Sequence, residues 1–304
     1  MAGDVLFNRI ALIGVGLIGS SLARVIRRDG LAGEVVGCAR TEATRKAAME
    51  LGLVDSVTED AAAAAEGADL VVLCTPVGAV AEIARQIGPR LKPGAIVTDV
   101  GSVKRAVIDA VAPHLPDGVH LVPAHPIAGT EDSGPAAGFD SLFEGHWLIL
   151  TPADGTDAGA VERVTELWRH TGAMIERMDA DHHDQVLAIT SHVPHLIAYT
   201  IVGTATDLED HLKAEVIKYA AAGFRDFTRI AASDPVMWRD IFLANRGAVL
   251  EMLGRLTEDL TALQRAIRDG DGKTMETLFA RTREIRRGVI DAGQHVPPAA
   301  PSDT

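Results

Sequence analysis

Three glycines near the N-terminus have the spacing of a phosphate-binding turn. Gly14, Gly16 and Gly19 form a G-x-G-x-x-G pattern that follows an apolar run and precedes a helical pattern. In a strand–turn–helix unit these glycines allow the tight turn, the approach of a pyrophosphate and close helix packing. The helix N-terminus adds free N–H groups and a partial positive charge. The alternative is a plain glycine turn, but the context predicts a dinucleotide site that includes Leu17 and Ile18.

A histidine and a serine in the first half have the chemistry of a proton-transfer site. An imidazole titrates near neutral pH, so His125 could accept a proton from a hydroxyl group while the neighbouring carbon loses a hydride. The alternative for a lone histidine is a structural role. Ser102 opens a helical pattern, where its hydroxyl could cap the helix, contact His125 or do both. The chain has no G-x-S-x-G pattern, which argues against a serine hydrolase.

Cationic and aromatic residues in the second half could bind an anionic substrate. His192 and His195 are three residues apart and therefore near one helical face; the alternatives are core or solvated histidines, or a metal site that lacks a third ligand of suitable spacing. Arg225 and Arg229 are four apart and could clamp a carboxylate or simply be surface cations. Trp238 is either a core residue or an anchor at a subunit interface.

The elements that position these residues alternate between strands and helices, which predicts an α/β fold. The apolar β-type runs are Ile10–Ile13, Glu34–Cys38, Leu70–Cys74, Ala95–Val100, His120–Val122 and Trp147–Leu150. With helical segments between them, they form a Rossmann-type doubly wound, mostly parallel sheet. Ligands gather at the carboxyl ends of such strands, which adds Thr75 and Pro76 to the cofactor contacts. Ser102 and His125 follow the fourth and fifth of these runs and are expected at the same edge.

The chain after the last expected strand is helical. We expect a dinucleotide-binding domain over residues 1–180, an all-α substrate and dimerisation domain over 181–293 and a flexible tail over 294–304. Leucines and one isoleucine at alternating spacings of three and four form an apolar seam, either for another helix of the subunit or for a second subunit: Leu253, Leu256, Leu260, Leu263 and Ile267.

Composition restricts the class of partner. Hydrophobic residues make up 47% of the 304 residues, and the net charge is −13, which argues against nucleic-acid and anionic-membrane partners. No apolar run approaches the roughly 20 residues of a membrane span. Cys38 and Cys74 are expected as buried thiols in a reducing compartment. We therefore expect a cytoplasmic protein with a small-molecule substrate.

Taken together, these residues resemble the prephenate/arogenate dehydrogenase family of tyrosine biosynthesis. Six blocks in order carry the resemblance: G-x-G-L-I-G-S-S-L-A at 14–23, D-V-G-S-V-K at 99–104, H-P-I-A-G-T-E at 125–131, S-H-V-P-H at 191–195, G-F-R-D-F-T-R-I-A at 223–231 and D-P-x-M-W-R-D at 234–240. In this family the N-terminal domain binds a nicotinamide cofactor. The helical domain pairs two subunits and closes over the substrate, so the resemblance implies a homodimer.

The resemblance also implies a reaction, the oxidative decarboxylation of a cyclohexadienol. His125 would polarise or deprotonate the ring hydroxyl, and Ser102 would orient both groups. Arg229 would pair with a substrate carboxylate. His192, His195, Arg225 and Trp238 would line the pocket, with Trp238 near the dimer interface.

The cofactor preference depends on one departure from the usual pattern, and the substrate preference depends on the pocket candidates. The second strand ends without the acid that binds the ribose of NAD, and Arg40 and Thr41 follow; an arginine there accepts a 2′-phosphate, which favours NADP, although family members without the acid also use NAD. The pocket candidates are histidines and arginines, which favours prephenate over arogenate, with use of both open.

Two other functions are compatible with parts of this pattern. One is a related dehydrogenase of hydroxy or imino acids, with a βαβ domain followed by a helical one. The other is a nicotinamide-binding redox sensor without turnover. The sensor would need the glycine loop but not the combination of His125, Ser102 and Arg229.

Overall fold

The computed structural model describes residues 5–207 and 222–291, and its centre is a six-stranded parallel sheet. The strands are β1 (Phe7–Ile13), β2 (Ala32–Cys38), β3 (Ser56–Thr58), β4 (Leu70–Leu73), β5 (Ile96–Asp99) and β6 (His120–Leu121). Their order is β3-β2-β1-β4-β5-β6, which is that of dinucleotide-binding folds. The predicted Rossmann-type sheet is confirmed. The short edge strand β3 was not expected from the sequence.

Helices cover the sheet and continue beyond it. Those between the strands are α1 (Leu17–Asp29), α2 (Glu42–Glu50), α3 (Ala61–Ala65), α4 (Val80–Ile87), α5 (Lys104–Val111) and α6 (Ala158–Arg169). The later ones are α7 (Ala180–Leu187), α8 (Val193–Thr206), α9 (Ala222–Thr228), α10 (Pro235–Ala244), α11 (Arg246–Asp269) and α12 (Gly272–Asp291). A π-helical turn, Ala188–His192, joins α7 to α8.

Alternate residues of β1 pack into different cores on the two faces of the sheet. Ile10 and Leu12 belong to one buried cluster, and Ala11 and Ile13 to the other. A strand with both faces buried reads as a continuous apolar run, as this one does. Burial on both sides therefore fixes the strand that carries the glycine turn.

A second, smaller sheet follows the first. It contains β7 (Ala124–Pro126), β8 (Trp147–Leu150) and β9 (Met174–Arg177); β7 is antiparallel to β8, and β8 is parallel to β9. The sequence pattern placed the β8 run in the main sheet, which was wrong. Pro123 separates β6 from β7 and has no N–H to extend the main ladder, so the chain leaves that sheet there.

The two cysteines are free thiols next to the strand ends. Cys38 is buried and Cys74 is half-buried. Burial raises the pKa of Cys38 to about 11 and that of Cys74 to about 12, so both thiols stay protonated and unreactive near neutral pH.

The chain forms two compact units, which divide between Val249 and Leu250. The first contains both sheets and also α7 to α10. The predicted tail at 294–304 lies outside the described residues. In the second unit the seam residues Leu260 and Ile267 are 56% and 67% exposed, so they are uncovered in the single chain.

One helical stretch, Ala180–Thr206, is long and apolar enough to cross a membrane by length and composition alone. The sequence analysis considered only uninterrupted apolar runs. Polar residues interrupt this stretch but lower its mean hydropathy only slightly, so it was not identified. Two of those residues, His183 and His192, are completely buried within the protein. Their side chains belong to the site described below.

Two glycines of the turn have different surroundings, one in close packing and the other facing open space. A Cβ added at Gly19 would overlap the carbonyl oxygen of Gly14, whereas one added at Gly16 would meet nothing within 4 Å. We expect Gly19→Ala to lower the free energy of unfolding by about 1–3 kcal/mol, because the backbone must shift. Gly16→Ala, the matched control, changes it by less than about 1 kcal/mol. Denaturant unfolding measures both, and equal losses would contradict the packing argument.

Candidate active site

The glycine turn forms a cradle with the end of β4. Gly14 has a φ of 100°, and a Cβ there would lie 2.5 Å from the carbonyl oxygen of Cys74, so both conformation and space require glycine. Helix α1 begins after Gly16 with no side-chain cap and no acidic residue in its first turn. The Thr75 hydroxyl is buried without a hydrogen-bond partner among the described residues. Open space, free N–H groups and an unused hydroxyl fit a dinucleotide pyrophosphate.

The end of β2 carries arginines and no carboxylate, as the sequence predicted. Arg40 and Thr41 are exposed, and Thr41 caps α2. The Arg45 guanidinium donates hydrogen bonds to the carbonyl oxygens of Ala39 and Arg40, at 2.9 and 2.7 Å. Arg45 thereby fixes the backbone just beyond the strand, while the side chain of Arg40 stays in solvent.

His125 lies within strand β7 and not in a loop after the last strand of the main sheet. Its backbone pairs with Ile149, and only 8% of the residue is exposed. Its Nδ1 lies 2.8 Å from Nε2 of His183. Burial, above all, and the nearby His183 and Lys104 hold the pKa of His125 well below its usual range, so the imidazole is neutral at pH 7.

Asp184 on α7 connects this histidine pair to helix α5. Its Oδ1 accepts hydrogen bonds from His183 Nδ1 at 2.8 Å and from the Lys104 backbone N–H at 2.7 Å. Its Oδ2 accepts from the Arg105 backbone N–H at 3.0 Å. The Asp184 carboxylate therefore caps α5 and anchors the chain that leads to His125.

A buried ion pair connects β5 to β7. Asp99 and Lys104 are completely buried and pair with each other. The Lys104 ammonium also donates to the Ala124 carbonyl oxygen at 2.6 Å, and Asp99 accepts from the Ala124 N–H at 3.2 Å. These bonds position the residue that precedes His125 at the carboxyl end of the main sheet.

Ser102 is not the N-cap of α5. That position belongs to Val103, which has no side-chain cap, and Asp184 accepts the first N–H groups of the helix instead. Ser102 is half-buried two residues before the helix, and within the described ranges its hydroxyl makes no hydrogen bond to His125. The hydroxyl is thus left available for a ligand.

His192 and His195 both pack against Trp238, which is buried on α10. The Trp238 ring stacks on His195 with centroids 3.6 Å apart and meets His192 edge-on at 6.1 Å. The π-helical turn that ends at His192 precedes Pro194, which cannot donate to the preceding turn. Asn245 Nδ2 donates to the Asp184 carbonyl oxygen at 2.8 Å and lies 3.1 Å from His192 Nδ1.

Arg229 connects this histidine cluster to the segment that follows His125. Its guanidinium pairs with Glu131 at 3.3 Å, and its charge contributes to lowering the pKa of His195, for which burial is the main cause. Arg225 is exposed on α9, one turn earlier, and its side chain makes no hydrogen bond or ion pair with another residue that the structure describes. Among those residues no group of three or more metal ligands comes together either.

Sequence reasoning missed the residues that hold His125 in place. His183, Asp184 and Asn245 were not singled out, and Asp99 and Lys104 were included in a sequence block without a role of their own. The sequence Asp181-His-His-Asp184 is rich in residues that can transfer protons. Which of its histidines is buried depends on the face of the helix that each occupies: His182 is exposed and His183 is buried. Asn245 has no distinguishing spacing, since its partners come from a distant helix.

The sheet order and the glycine cradle define a dinucleotide-binding protein of the Rossmann type, and the family follows from comparisons. A family model described as "Prephenate dehydrogenase, nucleotide-binding domain" matches residues 22–177, and one described as "Prephenate dehydrogenase, dimerization domain" matches residues 179–281. Cyclohexadienyl dehydrogenase of Zymomonas mobilis is 42% identical over 280 residues, 92% of this chain and 95% of the relative. Prephenate dehydrogenase of Bacillus subtilis is 33% identical over 283 residues, 93% of this chain and 76% of the relative.

Solved structures give the same result. Prephenate dehydrogenase of Aquifex aeolicus, in complex with hydroxyphenyl propionate and NAD+, superposes with a TM-score of 0.85 at 35% identity and covers 93% of this chain and 98% of that one. Synechocystis arogenate dehydrogenase has a TM-score of 0.77 at 28% identity and covers 92% of this chain and 99% of that one. The chain belongs to the prephenate dehydrogenase family.

The burial of His192 predicts a loss of stability in mild acid. Burial lowers its pKa to about 4, whereas 6.5 applies to the unfolded chain. The unfolded state therefore binds a proton first as the pH falls, which removes about 2 kcal/mol of stability between pH 7 and 5. His192→Gln should lose that much less over the same interval in denaturant titrations. Equal losses in the variant and the original protein would contradict a buried neutral His192.

Proposed function

We propose that the protein oxidatively decarboxylates prephenate, and also accepts arogenate, with transfer of a hydride to NAD(P)+. The observation that carries this proposal is the position of His125. It is buried, neutral and bonded through Nδ1 to His183, at the end of the sheet where the glycine cradle lies. Family membership and the names of the relatives support the substrate. The products are 4-hydroxyphenylpyruvate from prephenate and tyrosine from arogenate.

The cofactor would be held by the cradle. Gly14 and Gly19 allow the tight turn and the close packing of α1, and Gly16 opens onto the space that a pyrophosphate would occupy. Leu17 and Ile18 begin the helix whose N–H groups would bind it, and Thr75 with Pro76 would form the opposite wall. When bound, the nicotinamide supplies a hydride acceptor. The residues of the chain align the substrate against it, and alignment is the main requirement because aromatisation of the ring drives the reaction.

His125 is the proposed catalytic base. Its Nε2 takes the proton from the ring hydroxyl as the C–H bond of that carbon breaks with the hydride, and the opposite carboxylate leaves as CO2. The electron pair of the broken C–C bond completes the aromatic ring, and His125 returns the proton to the ring oxygen, which gives the phenol of the product. Ser102, whose hydroxyl is not used as a helix cap, orients the substrate hydroxyl.

Arg229 is the proposed binding site for a substrate carboxylate. Its pair with Glu131 is largely exposed, with side-chain exposures of 62% and 46%, so the pair is weak and a substrate carboxylate could replace Glu131. His192, His195 and Trp238 form the adjoining wall, and Arg225 contributes charge from one turn away.

NADP is the proposed preferred cofactor. Arg40 is exposed at the end of β2, where no carboxylate is provided by the strand, and it could pair with a 2′-phosphate. NAD is the second candidate, because the related Aquifex aeolicus structure contains NAD+.

We also propose a cytoplasmic homodimer with a nucleotide-binding domain over 1–180 and a helical domain over 181–293. The exposed apolar seam on α11 and the description of the second family model support pairing through the helical part. The family models meet between residues 177 and 179, next to the proposed boundary.

A rate matrix tests the function. Prephenate and arogenate are each mixed with NAD+ or NADP+, and the absorbance of the reduced nicotinamide is followed. We expect turnover with prephenate and a higher kcat/KM with NADP+. His125→Asn should lower kcat by about 10²–10⁴-fold with unchanged cofactor affinity.

The same matrix separates the alternatives. If the protein oxidises a hydroxy acid or an imino acid but neither prephenate nor arogenate, the related dehydrogenase is favoured. Cofactor binding without turnover of any substrate would favour the redox sensor.

The role of Arg229 predicts an effect on KM. Arg229→Ala removes a charge-assisted contact with the substrate, so KM for prephenate should rise about 10–100-fold while kcat changes little. Arg169→Ala is the matched control, because Arg169 is a half-exposed arginine paired with Glu162 far from the cluster. A KM that stays constant in Arg229→Ala would remove the carboxylate role.

A further inference from the structure

Two hydrogen-bond chains start at Asp184 and end at two imidazoles of the pocket. One leaves from its carboxylate through His183 to His125. The other leaves from its carbonyl oxygen through Asn245 to His192. Because each bond has a donor and an acceptor, the direction of each chain determines which nitrogen of the last imidazole carries the proton.

The first chain makes His125 an acceptor at Nε2. The Asp184 carboxylate accepts one backbone N–H of α5 on each of its two oxygens, so both oxygens act as acceptors. His183 must therefore donate from Nδ1. Burial lowers the pKa of His183, so it is neutral, and its Nε2 accepts. The proton between the two histidines then belongs to Nδ1 of His125, and Nε2 keeps a lone pair.

The second chain makes His192 a donor at Nε2. The carbonyl oxygen of Asp184 only accepts, so the Asn245 atom 2.8 Å from it is the amide nitrogen. That nitrogen has a second hydrogen, which points to Nδ1 of His192 at 3.1 Å. A neutral His192 that accepts at Nδ1 carries its proton on Nε2. This Nε2 is buried and has no partner among the described residues.

We propose that Asp184 is a positioning residue that fixes His125 and His192 in opposite tautomers, His125 with a free lone pair and His192 with a free N–H. The lone pair is what His125 needs to act as a base, so the effect of this tautomer on turnover rests on the proposed function. The N–H of His192 binds an acceptor oxygen of the ligand. One side chain and its own carbonyl group thus prepare the pocket both to take a proton and to give a hydrogen bond.

The tautomers can be read directly in the full-length protein without substrate. Ring-¹⁵N histidine labelling distinguishes protonated from unprotonated ring nitrogens, and His125→Asn and His192→Gln assign the signals by their disappearance. We expect His125 protonated at Nδ1 and His192 at Nε2. A His125 signal from the Nε2–H form, or a His192 signal from the Nδ1–H form, would overturn the proposal.

Asp184→Ala should release the first chain. The substitution removes the oxygen that accepts from His183 Nδ1, so either ring nitrogen of His183 can carry the proton and His125 shows both tautomers. We expect kcat to fall by about 10–100-fold with unchanged cofactor affinity, because the base loses its fixed tautomer and orientation. Asp181→Ala is the matched control on the same helix, because Asp181 is exposed and pairs with Arg105. A single Nδ1–H tautomer of His125 in a folded Asp184→Ala would overturn the proposal.

Two further variants keep the test decisive if Asp184→Ala does not fold. His183→Phe leaves the α5 cap in place and should give both tautomers of His125. Asn245→Leu should release only His192 and raise KM about tenfold while kcat holds. One fixed His125 tautomer in His183→Phe would contradict the first chain. If the histidine spectra are as expected but neither prephenate nor arogenate is turned over, the proposed function is wrong and the tautomer assignment stands.

Discussion

The carboxylate of Asp184 is the interaction on which the site depends. It accepts the first two free N–H groups of α5, the helix that follows Ser102, and the Nδ1–H of His183. One buried anion on the first helix after the strands therefore connects that helix to the edge of the sheet and to His125. Removing it would leave a helix terminus and an imidazole without partners, and each is costly when buried.

Burial gives the site its chemical character. The pKa values of His125, His183, His192 and His195 are all lowered, with burial as the main cause, so the pocket contains neutral imidazoles near pH 7. A neutral imidazole donates a hydrogen bond from one ring nitrogen and accepts one at the other, whereas a charged imidazole can only donate. Arg229 is an exposed cation beside this cluster, and in the proposed function it provides the charge that binds an anionic substrate.

The sequence predicted those parts of the fold that depend on local pattern. Gly14 and Gly19 have neighbours that exclude any Cβ, and the apolar run before them is buried on both sides, so spacing and hydropathy predicted turn and strand. The second sheet was not predicted because Pro123 redirects the chain between two short strands. His183 and Asn245 were not predicted because their roles come from contacts across 58 and 53 residues, which no local spacing reports.

We propose that His125 and Arg229 contact the same small dianion at the cofactor cradle. A crystal structure of the full-length protein with cofactor and 4-hydroxyphenylpyruvate, the proposed product, tests it most directly. We predict that the ring hydroxyl lies within about 2.6–3.2 Å of His125 Nε2 and that the side-chain carboxylate lies on Arg229. A product molecule that meets only one of these groups, or lies with its hydroxyl away from His125, would contradict the account.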